Sequence, residues 1–426
     1  MDKFRKLGIS EHIVRVIEEQ RFTEPSEIQE KAIPLVLEGK DVIAGSATGS
    51  GKTLVFGARI IQNTEAKGVV QALILTPTRE LAEQITKALK SFSRYKKLTI
   101  IPVYGGVSIN PQIRELRSAD IVVGTPGRIL DHVSRNTFHT ENIKILVLDE
   151  ADRMLDMGFI QDVEQIVRVI PLKRQTLLFS ATIDPDIFHL AKKYMKNPVE
   201  VQAESYVDAG KLPQAFYEVQ QNMKFSLLVQ LLREEHPGLI MVFCNTRRTA
   251  DFVAKNLKFS GVNATAIHGG FSQEKRTRIM DSFREKELHV LVCTDVAARG
   301  LDIKGVSHIY NYDIPKDSKD YIHRIGRTAR AGKAGKAISL LSERDFENFH
   351  VVMKNPDLNI ERKELPKIER TRIRWMPERK FERRDDRGGF RRGSGYGRSS
   401  GGSYGRRDDR RDNRGSDRGF KPRRRF

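Results

Sequence analysis

The sequence has little cysteine and no long apolar run. Its 426 residues include two cysteines, Cys244 and Cys293, each inside a short apolar stretch and neither spaced for zinc. This usage excludes a disulfide framework and is typical of the reducing cytoplasm, where we expect the chain to act. No stretch approaches the roughly 18 apolar residues of a membrane span, and the N-terminus lacks an apolar signal region. We therefore expect no membrane partner.

Positive charge is concentrated near the C-terminus. The formal net charge is +20, and the stretch from Glu361 to Phe426 contains 24 basic and 11 acidic residues. A basic tail on a mildly basic body predicts a polyanionic partner, nucleic acid before membrane. A solvated tail that only keeps the protein soluble is the alternative.

The chain is too long for one ordinary core, so two domains are expected. From about Asp41, short apolar runs alternate with amphipathic stretches, which favours parallel sheets with helices on both faces. The pattern lapses near Gln202 and restarts at Leu239. We predict an α/β fold with two similar lobes at residues 1–203 and 213–358, a linker at 204–212, and a tail at 359–426.

The composition of the predicted tail, rich in Arg, Gly, Ser and Asp, predicts disorder, because it cannot bury enough apolar surface to offset the entropy of ordering. Aromatic residues are interspersed among its arginines. This mixture suits sequence-tolerant binding of single-stranded RNA through phosphate contacts and base stacking.

Two short segments together specify a site for nucleoside triphosphate hydrolysis. Residues 46–53 read Ser-Ala-Thr-Gly-Ser-Gly-Lys-Thr, a loop whose backbone N–H groups would cradle phosphates, with Lys52 at the terminal phosphates and Thr53 on Mg²⁺. Residues 149–152 read Asp-Glu-Ala-Asp and follow an apolar run, at the strand end where α/β sheets place catalytic groups. Asp149 would hold Mg²⁺ from the other side, and Glu150 would orient or deprotonate the attacking water. A helix N-cap is the alternative role of this acidic pair.

With these segments, the chain resembles the DEAD-box family of ATP-dependent RNA helicases from Phe4 to about Leu341. Further segments occur in the family's order, which is a stronger signal than any one of them. They are Pro-Thr-Arg-Glu-Leu-Ala at 77–82, Gly-Gly at 105–106, Thr-Pro-Gly-Arg at 125–128, Ser-Ala-Thr at 180–182, Phe-Cys-Asn-Thr at 243–246, Gln-Glu-Lys-Arg at 273–276, Thr-Asp-Val-Ala-Ala-Arg-Gly-Leu-Asp at 294–302 and His-Arg-Ile-Gly-Arg-Thr-Ala-Arg at 323–330. The departures from the family's pattern, at Arg21, Ser26, Ser46 and Ala329, remove no charged or catalytic group.

The resemblance implies two tandem RecA-like domains that bind ATP and Mg²⁺ at a site divided between them. The implied catalytic residues are Glu150, Lys52, Arg327 and Arg330, the arginines reaching from the second lobe to the γ-phosphate. The implied ATP-binding residues are Phe22, Gln29, Gly49, Ser50, Gly51, Lys52, Thr53 and Asp302. The implied metal ligands are Thr53 and Asp149. Coupling of hydrolysis to lobe movement would fall to Asp152, Ser180, Thr182 and His323.

The resemblance also makes RNA, rather than DNA, the expected nucleic acid. Contacts should go mainly to the sugar–phosphate backbone and therefore depend little on sequence. The implied RNA-binding residues are Thr78, Arg79, Gly105, Gly106, Thr125, Arg128, Thr246, Gly269, Gln273, Arg276, Thr294 and Arg299.

The expected activity is RNA-stimulated ATP hydrolysis coupled to local, non-processive unwinding or remodelling of RNA duplexes. Two other functions stay open on the sequence. One is an ATP-gated RNA clamp or annealing chaperone driven by the basic tail. The other is a DNA translocase, which double-stranded DNA would stimulate.

Overall fold

The described residues form two parallel sheets of seven strands each, with helices on both faces. The computed structural model describes residues 1–45, 50–181, 183, 185–203, 212–234, 238–298, 303, 305–329 and 335–375. Most of the predicted linker, and the tail from residue 376, lie outside these ranges. Within the described ranges, none of the helices is both long and apolar enough to cross a membrane.

The first sheet has the strand order β3-β4-β2-β5-β6-β1-β7. Its strands are β1 Val42–Gly45, β2 Ala72–Leu75, β3 Ile100–Val103, β4 Ile121–Gly124, β5 Ile145–Leu148, β6 Gln175–Ser180 and β7 Val199–Gln202. Its helices are α1 Asp2–Lys6, α2 Glu11–Glu19, α3 Glu27–Leu37, α4 Lys52–Asn63, α5 Arg79–Phe92, α6 Ile109–Leu116, α7 Pro126–Ser134, α8 Ala151–Asp156, α9 Ile160–Val169 and α10 Pro185–Tyr194. Four-residue apolar runs such as β5 are buried throughout, as strands of a parallel sheet covered on both faces must be.

The second sheet repeats the same topology, with the order β10-β11-β9-β12-β13-β8-β14. Its strands are β8 Gln214–Glu218, β9 Leu239–Phe243, β10 Ala264–Ile267, β11 Val290–Cys293, β12 Val306–Asn311, β13 Lys336–Leu341 and β14 Ile360–Arg362. Its helices are α11 Lys224–Glu234, α12 Arg247–Phe259, α13 Gln273–Arg284, α14 Asp295–Ala298, α15 Ser318–Ile325 and α16 Phe346–Met353. Two similar α/β lobes, as the alternating pattern predicted, are therefore present.

Each sheet separates two apolar cores. Along β5, Ile145 and Val147 pack into one core, whereas Leu146 and Leu148 pack into the other. This division follows from the period of two in a strand, which sends successive side chains to opposite faces. The sheet is thereby held rigidly, and its carboxyl edge becomes a fixed platform for the loops that follow the strands.

The carboxyl edge of the first sheet brings three predicted motifs together. Strand β6 lies between β1 and β5, with Gly45 in register with Ser180 and Leu148 in register with Leu178. The phosphate loop follows Gly45, the acidic segment follows Leu148, and the Ser-Ala-Thr segment begins at Ser180. Topology alone therefore places these segments side by side.

The second lobe extends past its predicted end at residue 358. Strand β14 pairs in parallel with β8, with Ile360 opposite Gln214 and Arg362 opposite Phe216. Residues 363–375 then continue along the same lobe, where Ile368 packs against an apolar core. Residues 359–375 thus belong to the fold of the second lobe rather than to the tail.

A buried ion pair joins α11 to the loop before α16. The ammonium of Lys224 lies 2.6 Å from a carboxylate oxygen of Asp345, and the two side chains are 1% and 9% exposed. The same carboxylate accepts hydrogen bonds from the backbone N–H and the hydroxyl of Ser342. Removing Asp345 would leave buried Lys224 with only the more distant carboxylate of Asp313, at 4.0 Å, and breaking a buried pair is destabilising.

We expect Asp345→Ala to lower the free energy of unfolding of the second lobe by about 3 kcal/mol, the lower end of the cost of breaking a buried pair, because Lys224 would keep only the carboxylate of Asp313 at 4.0 Å. Trp375 is the chain's single tryptophan and lies on this lobe, so its fluorescence during urea unfolding measures the change. The control is Arg362→Ala, which breaks an exposed pair with Glu218 and should cost less than about 1 kcal/mol. Equal losses in both variants would contradict the assignment.

Candidate functional site

The phosphate loop ends at a glycine whose backbone and surroundings disfavour any side chain. Gly51 has a φ of +92° and caps α4, and a Cβ on it would lie 2.3 Å from Nε2 of Gln29. Lys52, the first residue of α4, is buried. The N-terminus of α4, with its N–H groups and the positive end of its dipole, therefore points from the loop into the site. Gly49, predicted to belong to this loop, lies outside the described residues.

Helix α3 is tied to the phosphate loop by hydrogen bonds. The amide of Gln29 accepts from the N–H of Ser26 at 3.0 Å and donates to the carbonyl of Gly51 at 3.1 Å. The hydroxyl of Ser26 donates to the carbonyl of Ser50 at 2.7 Å. Serine therefore supplies the hydroxyl at the position where the family usually has threonine. The predicted adenine-reading residue is held directly against the loop that would hold the phosphates.

A cavity of about 400 Å³ opens beside this loop. Phe22, which is 43% exposed, lies in its wall and presents a free aromatic face. Phe4 also contributes to the wall but is itself part of the apolar core. The predicted ATP and catalytic residues that line the cavity are Phe22, Gln29, Gly51, Lys52, Thr53, Asp149 and Glu150.

The acidic segment carries buried carboxylates at the end of β5. Asp149 accepts a hydrogen bond from the N–H of Glu150 at 3.0 Å, and burial raises the pKa of Asp149 to about 6, against the opposing charge of Lys52. Glu150 adopts a left-handed backbone, with φ of 52°, which is uncommon outside glycine. Within the described part of the chain, Oε2 of Glu150 and both carboxylate oxygens of Asp152 are buried and accept no hydrogen bond. Oxygen donors of this kind suit a hard divalent cation and its water ligands.

Helices α8 and α15 face each other across the cleft between the lobes. Nε2 of His323 lies 3.8 Å from a carboxylate oxygen of Asp152, which is fully buried. Arg153, the next residue of α8, donates at 3.3 Å to a carboxylate oxygen of Asp320, which lies one turn before His323 on α15. Arg327 is buried beside them in a small cavity that His323 and Arg153 also line. The structure therefore brings the acidic segment and the last motif together.

Ser180, at the end of β6, is fully buried on the same edge of the sheet. Its hydroxyl makes no hydrogen bond within the described ranges. Three other predicted residues of the ATP site, Thr182, Asp302 and Arg330, lie outside those ranges. Their roles stay predictions.

A second cavity, of about 480 Å³, opens between the lobes and is called the groove here. The predicted RNA-binding residues that line it are Thr78, Arg79, Gly105, Thr125 and Arg128 from the first lobe and Gly269 and Arg276 from the second. The lining also includes Phe159, Phe271 and Val296, which the motifs did not single out. The apolar side chain of Val296 is 52% exposed in the groove, a feature that only the structure shows.

Arginines of the first lobe are held by the backbone around the groove. A Cβ on Gly106, which has a φ of +80°, would lie 1.9 Å from Nη1 of Arg79, so the guanidinium packs directly on this glycine. Arg128 donates to the carbonyl of Val107 at 3.1 Å, while its Nη1 is buried and makes no hydrogen bond to the described residues. A phosphate oxygen is the kind of acceptor that such an N–H group lacks.

Helices begin at the groove in both lobes. Thr78 caps α5 by accepting from the N–H of Leu81 at 3.3 Å, and Thr246 caps α12 by accepting from that of Thr249 at 3.0 Å. Thr125 is the N-cap residue of α7. Helix N-termini bind phosphate readily, so Thr78 and Thr125, which line the groove, place suitable donors there, whereas Thr246 is not among its lining residues. Thr294 is buried next to α14, and Arg299 lies outside the described residues.

Two predicted RNA-binding residues contact the opposite lobe. Arg276 lies 2.9 Å from a carboxylate oxygen of Glu80, and Gln273 donates to the same oxygen at 3.2 Å. Both side chains of the ion pair are 11% exposed. The pair therefore bridges α13 and α5 at the wall of the groove.

Sequence reasoning missed Arg324, which organises the second lobe's half of the site. Its guanidinium binds Asp295 through two hydrogen bonds of 2.6 and 2.7 Å and donates to Asn245 at 2.7 Å. The side chain is 1% exposed. Arg324 thus joins three of the motifs. The sequence did contain a signal for this pair, because one motif includes the acidic Asp295 and another includes Arg324 besides Arg327 and Arg330.

Comparison with known proteins gives consistent matches over most of the chain. A family model described as DEAD/DEAH box helicase matches residues 26–190, and one described as helicase conserved C-terminal domain matches residues 223–332. The DEAD-box ATP-dependent RNA helicase CshA of Geobacillus kaustophilus is 43% identical over 373 residues, which are 87% of this chain and 80% of that protein. The ATP-dependent RNA helicase CshA of Listeria monocytogenes is 45% identical over 83% of this chain and 68% of its own length.

Solved structures with the same fold include two helicases bound to RNA. The S. cerevisiae Dbp5 bound to RNA and ADP BeF3 has a TM-score of 0.77 and 34% identity, over 85% of this chain and 96% of that one. The Mss116p bound to ssRNA and AMP-PNP has a TM-score of 0.74 and 30% identity, over 86% of this chain and 80% of that one.

We expect Glu80→Gln to reduce closure of the cleft, because Arg276 would lose its ionised partner across the groove. Charged hydrogen bonds contribute about 1.5 to 3 kcal/mol, so the closed population should fall roughly tenfold or more relative to the open one. Energy transfer between fluorophores on the two lobes, with ATP and RNA present, measures this. Glu83→Gln is the matched control, since Glu83 lies on the same helix but accepts from Tyr104 of its own lobe. Unaltered closure in Glu80→Gln would show that the pair does not hold the lobes.

Proposed function

This chain belongs to the DEAD-box family of ATP-dependent RNA helicases, and we propose that it couples ATP hydrolysis in its cleft to the local remodelling of RNA in its groove. Its fold is two tandem RecA-like domains, as the order of the motifs predicted. It is an enzyme that binds and hydrolyses ATP, again as predicted. The observation that carries the proposed mechanism is the approach of Asp152 and His323 from opposite lobes.

The residues of the cleft divide the work of phosphoryl transfer. Lys52 and the N-terminus of α4 would neutralise the phosphates, while Phe22 and Gln29 would hold the adenine. Thr53 and Asp149 would hold Mg²⁺, which supplies charge neutralisation at the β- and γ-phosphates when bound. Glu150 would take the proton of the attacking water, and its buried Oε2, which accepts no hydrogen bond from the described residues, supports this role.

The second lobe would complete the site. Arg327 and Arg330 would stabilise the charge that develops on the γ-phosphate, a contribution of about 10³ to 10⁵ in turnover for arginine fingers. Asp302 would contact the ribose. Because Glu150 and Arg327 lie on different lobes, the site is complete only when the cleft is closed. Asp152, Ser180, Thr182 and His323 would transmit the state of the nucleotide to the lobe contact.

The groove is the proposed RNA site. Its glycines permit close approach of the backbone, and its arginines and hydroxyl groups suit phosphate oxygens. The relatives Dbp5 and Mss116p hold RNA together with ATP analogues, which supports the same joint binding here. Bending of one strand in the closed state would separate a short duplex locally, and hydrolysis would release it. The basic tail would add sequence-tolerant affinity.

The protein's proposed place is the cytoplasm. Cys244 and Cys293 are both buried and free, and burial raises the pKa of each thiol, so both stay protonated and unreactive. This use of cysteine supports a reducing compartment.

A clamp or annealing chaperone driven by the tail is not favoured. The cleft contains Glu150 and Arg327, which argue against a catalytically inactive scaffold. The relatives are named as RNA helicases, which also disfavours a DNA translocase.

We expect Glu150→Gln to lower RNA-stimulated ATP turnover by at least about a hundredfold, since a positioned general base contributes about 10² to 10⁴. Steady-state hydrolysis with single-stranded RNA, single-stranded DNA or no nucleic acid measures this. Glu115→Gln is the control, because Glu115 is exposed on α6 away from the cleft. Turnover that is indifferent to RNA, or that survives in Glu150→Gln, would refute the site assignment.

A chain that ends at Trp375 should keep RNA-stimulated turnover at saturating RNA and bind RNA more weakly. The described residues form one compact unit, so the truncation leaves the cleft and the groove intact. A cut at residue 361 would instead break β14, which pairs with β8. Measured turnover that collapses in the shorter chain would move the tail-driven chaperone to first place.

A further inference from the structure

The segment that follows β14, residues 363–375, is called the strap here. It forms no helix or strand, yet it is fastened to the second lobe at several points. The N–H of Thr371 donates to the hydroxyl of Ser226 on α11 at 3.0 Å. Ile368 packs against the apolar core between α11 and α12. The strap is therefore held to the second lobe by specific hydrogen bonds and apolar contacts.

One buried amide holds the end of the strap. Oδ1 of Asn256 accepts from the N–H groups of Arg374 and Trp375 at 2.9 and 3.0 Å. Its Nδ2 donates to the carbonyls of Phe252 and Trp375 at 2.9 and 2.7 Å. Asn256 is 1% exposed, and these four bonds use the whole capacity of its side chain. Only the bond to Phe252 is made within the helix, and the other three bind the strap.

The outward side of the strap is basic. Arg370, Arg372 and Arg374 are exposed, as are Glu369 and Ile373 beside them, whereas Thr371 and Trp375 are only partly exposed. None of the three arginines forms an ion pair with any residue that the structure describes. Lys255 of α12 lies with its ammonium 3.8 Å from the centre of the Trp375 ring. Gathered like charges repel one another, and a polyanion would relieve the repulsion.

Helix α12 connects this basic side to the groove. Its first residue, Arg247, has Nη2 within 3.2 Å of the position of a Cβ on Gly269, which lines the groove. Lys255 is eight residues further, or about 12 Å along the helix. Lys258, on the next turn, is also exposed. Basic residues thus lie at both ends of this path, and Asp251, which pairs with His268 at 3.1 Å, lies between them.

We propose that the strap arginines Arg370, Arg372 and Arg374, with Lys255 and Lys258 of α12, form a second RNA-binding surface. It binds the sugar–phosphate backbone of single-stranded RNA where that strand leaves the groove on the second lobe. The inference rests on the proposed function, because the groove is the source of the strand. Asn256 contributes by fixing the strap, and hence the arginines, in position.

The test removes the three strap charges in the full chain, as Arg370→Gln, Arg372→Gln and Arg374→Gln together. A matched control removes three exposed charges of the first lobe, as Arg117→Gln, Lys173→Gln and Lys192→Gln. Affinities are measured by fluorescence anisotropy for an oligouridine that only fills the groove and for one several times longer, at a series of salt concentrations.

For the longer RNA we expect the strap variant to bind at least about tenfold more weakly at low salt. The slope of log affinity against log salt should shrink by about 2, as expected for the loss of three phosphate contacts on a single strand. The control should match the wild type on both oligomers, and the strap variant should match it on the short one. If the strap and control variants lose equal affinity, or if the slope is unchanged, the charges only solvate the protein and the proposal is overturned.

Hydrolysis stimulated by the short RNA is measured on the same samples, because it tests the proposed function separately. It should be equal in all three proteins. Its absence from the wild type would refute the groove as the activating RNA site, and the strand that the strap is proposed to receive would then have no source. A normal hydrolysis response with an unaltered salt slope would refute the strap alone.

Discussion

The working site depends on polar and charged side chains that meet across a cleft. Arg276 meets Glu80, His323 meets Asp152, and Arg153 meets Asp320, each pair with one partner on either lobe. In an open cleft these groups would be solvated and their attraction weak, whereas in a closed one the lower dielectric strengthens it and removes their hydration. The two effects oppose each other, so the net contribution of these pairs to closure is smaller than their Coulomb attraction alone. A ligand that adds contacts to both lobes can therefore decide it.

The first lobe carries the cost of holding three carboxylates out of water. Asp149, Glu150 and Asp152 are all buried at the end of β5, and Glu150 has a left-handed backbone besides. The raised pKa of Asp149 is one sign of the free-energy cost of burying a charged carboxylate. The strand beneath them is apolar on both faces and packed in two cores, which keeps the segment from relaxing. A cation or an ordered water in the cleft would lower the free-energy cost of burying these carboxylates. This is a physical reason for the site to bind a cation.

Sequence could predict what short-range pattern encodes. Buried parallel strands leave continuous apolar runs such as 145–148, and both sheets were predicted from them. Only one of the three residues of β14 is buried, so its sequence contains no apolar run, and the prediction placed it in the tail. The bond between Asn256 and Trp375 spans 119 residues and uses backbone groups, which no side-chain pattern reveals. Arg324 lay within a motif, but its geometry with Asp295 required the fold.

The choice of an amide to hold the strap has a consequence of its own. An apolar anchor would tolerate sliding of the chain, since hydrophobic contact is not directional. Asn256 instead bonds two adjacent N–H groups and a carbonyl, so a shift of one residue would leave buried polar atoms unpaired at a cost of about 1 to 3 kcal/mol each. The same shift would displace the arginines of 370–374 along the surface of the lobe, because these backbone bonds fix the positions of Arg374 and Trp375. A polar clamp fixes register, and here register decides where on the lobe the strap arginines lie.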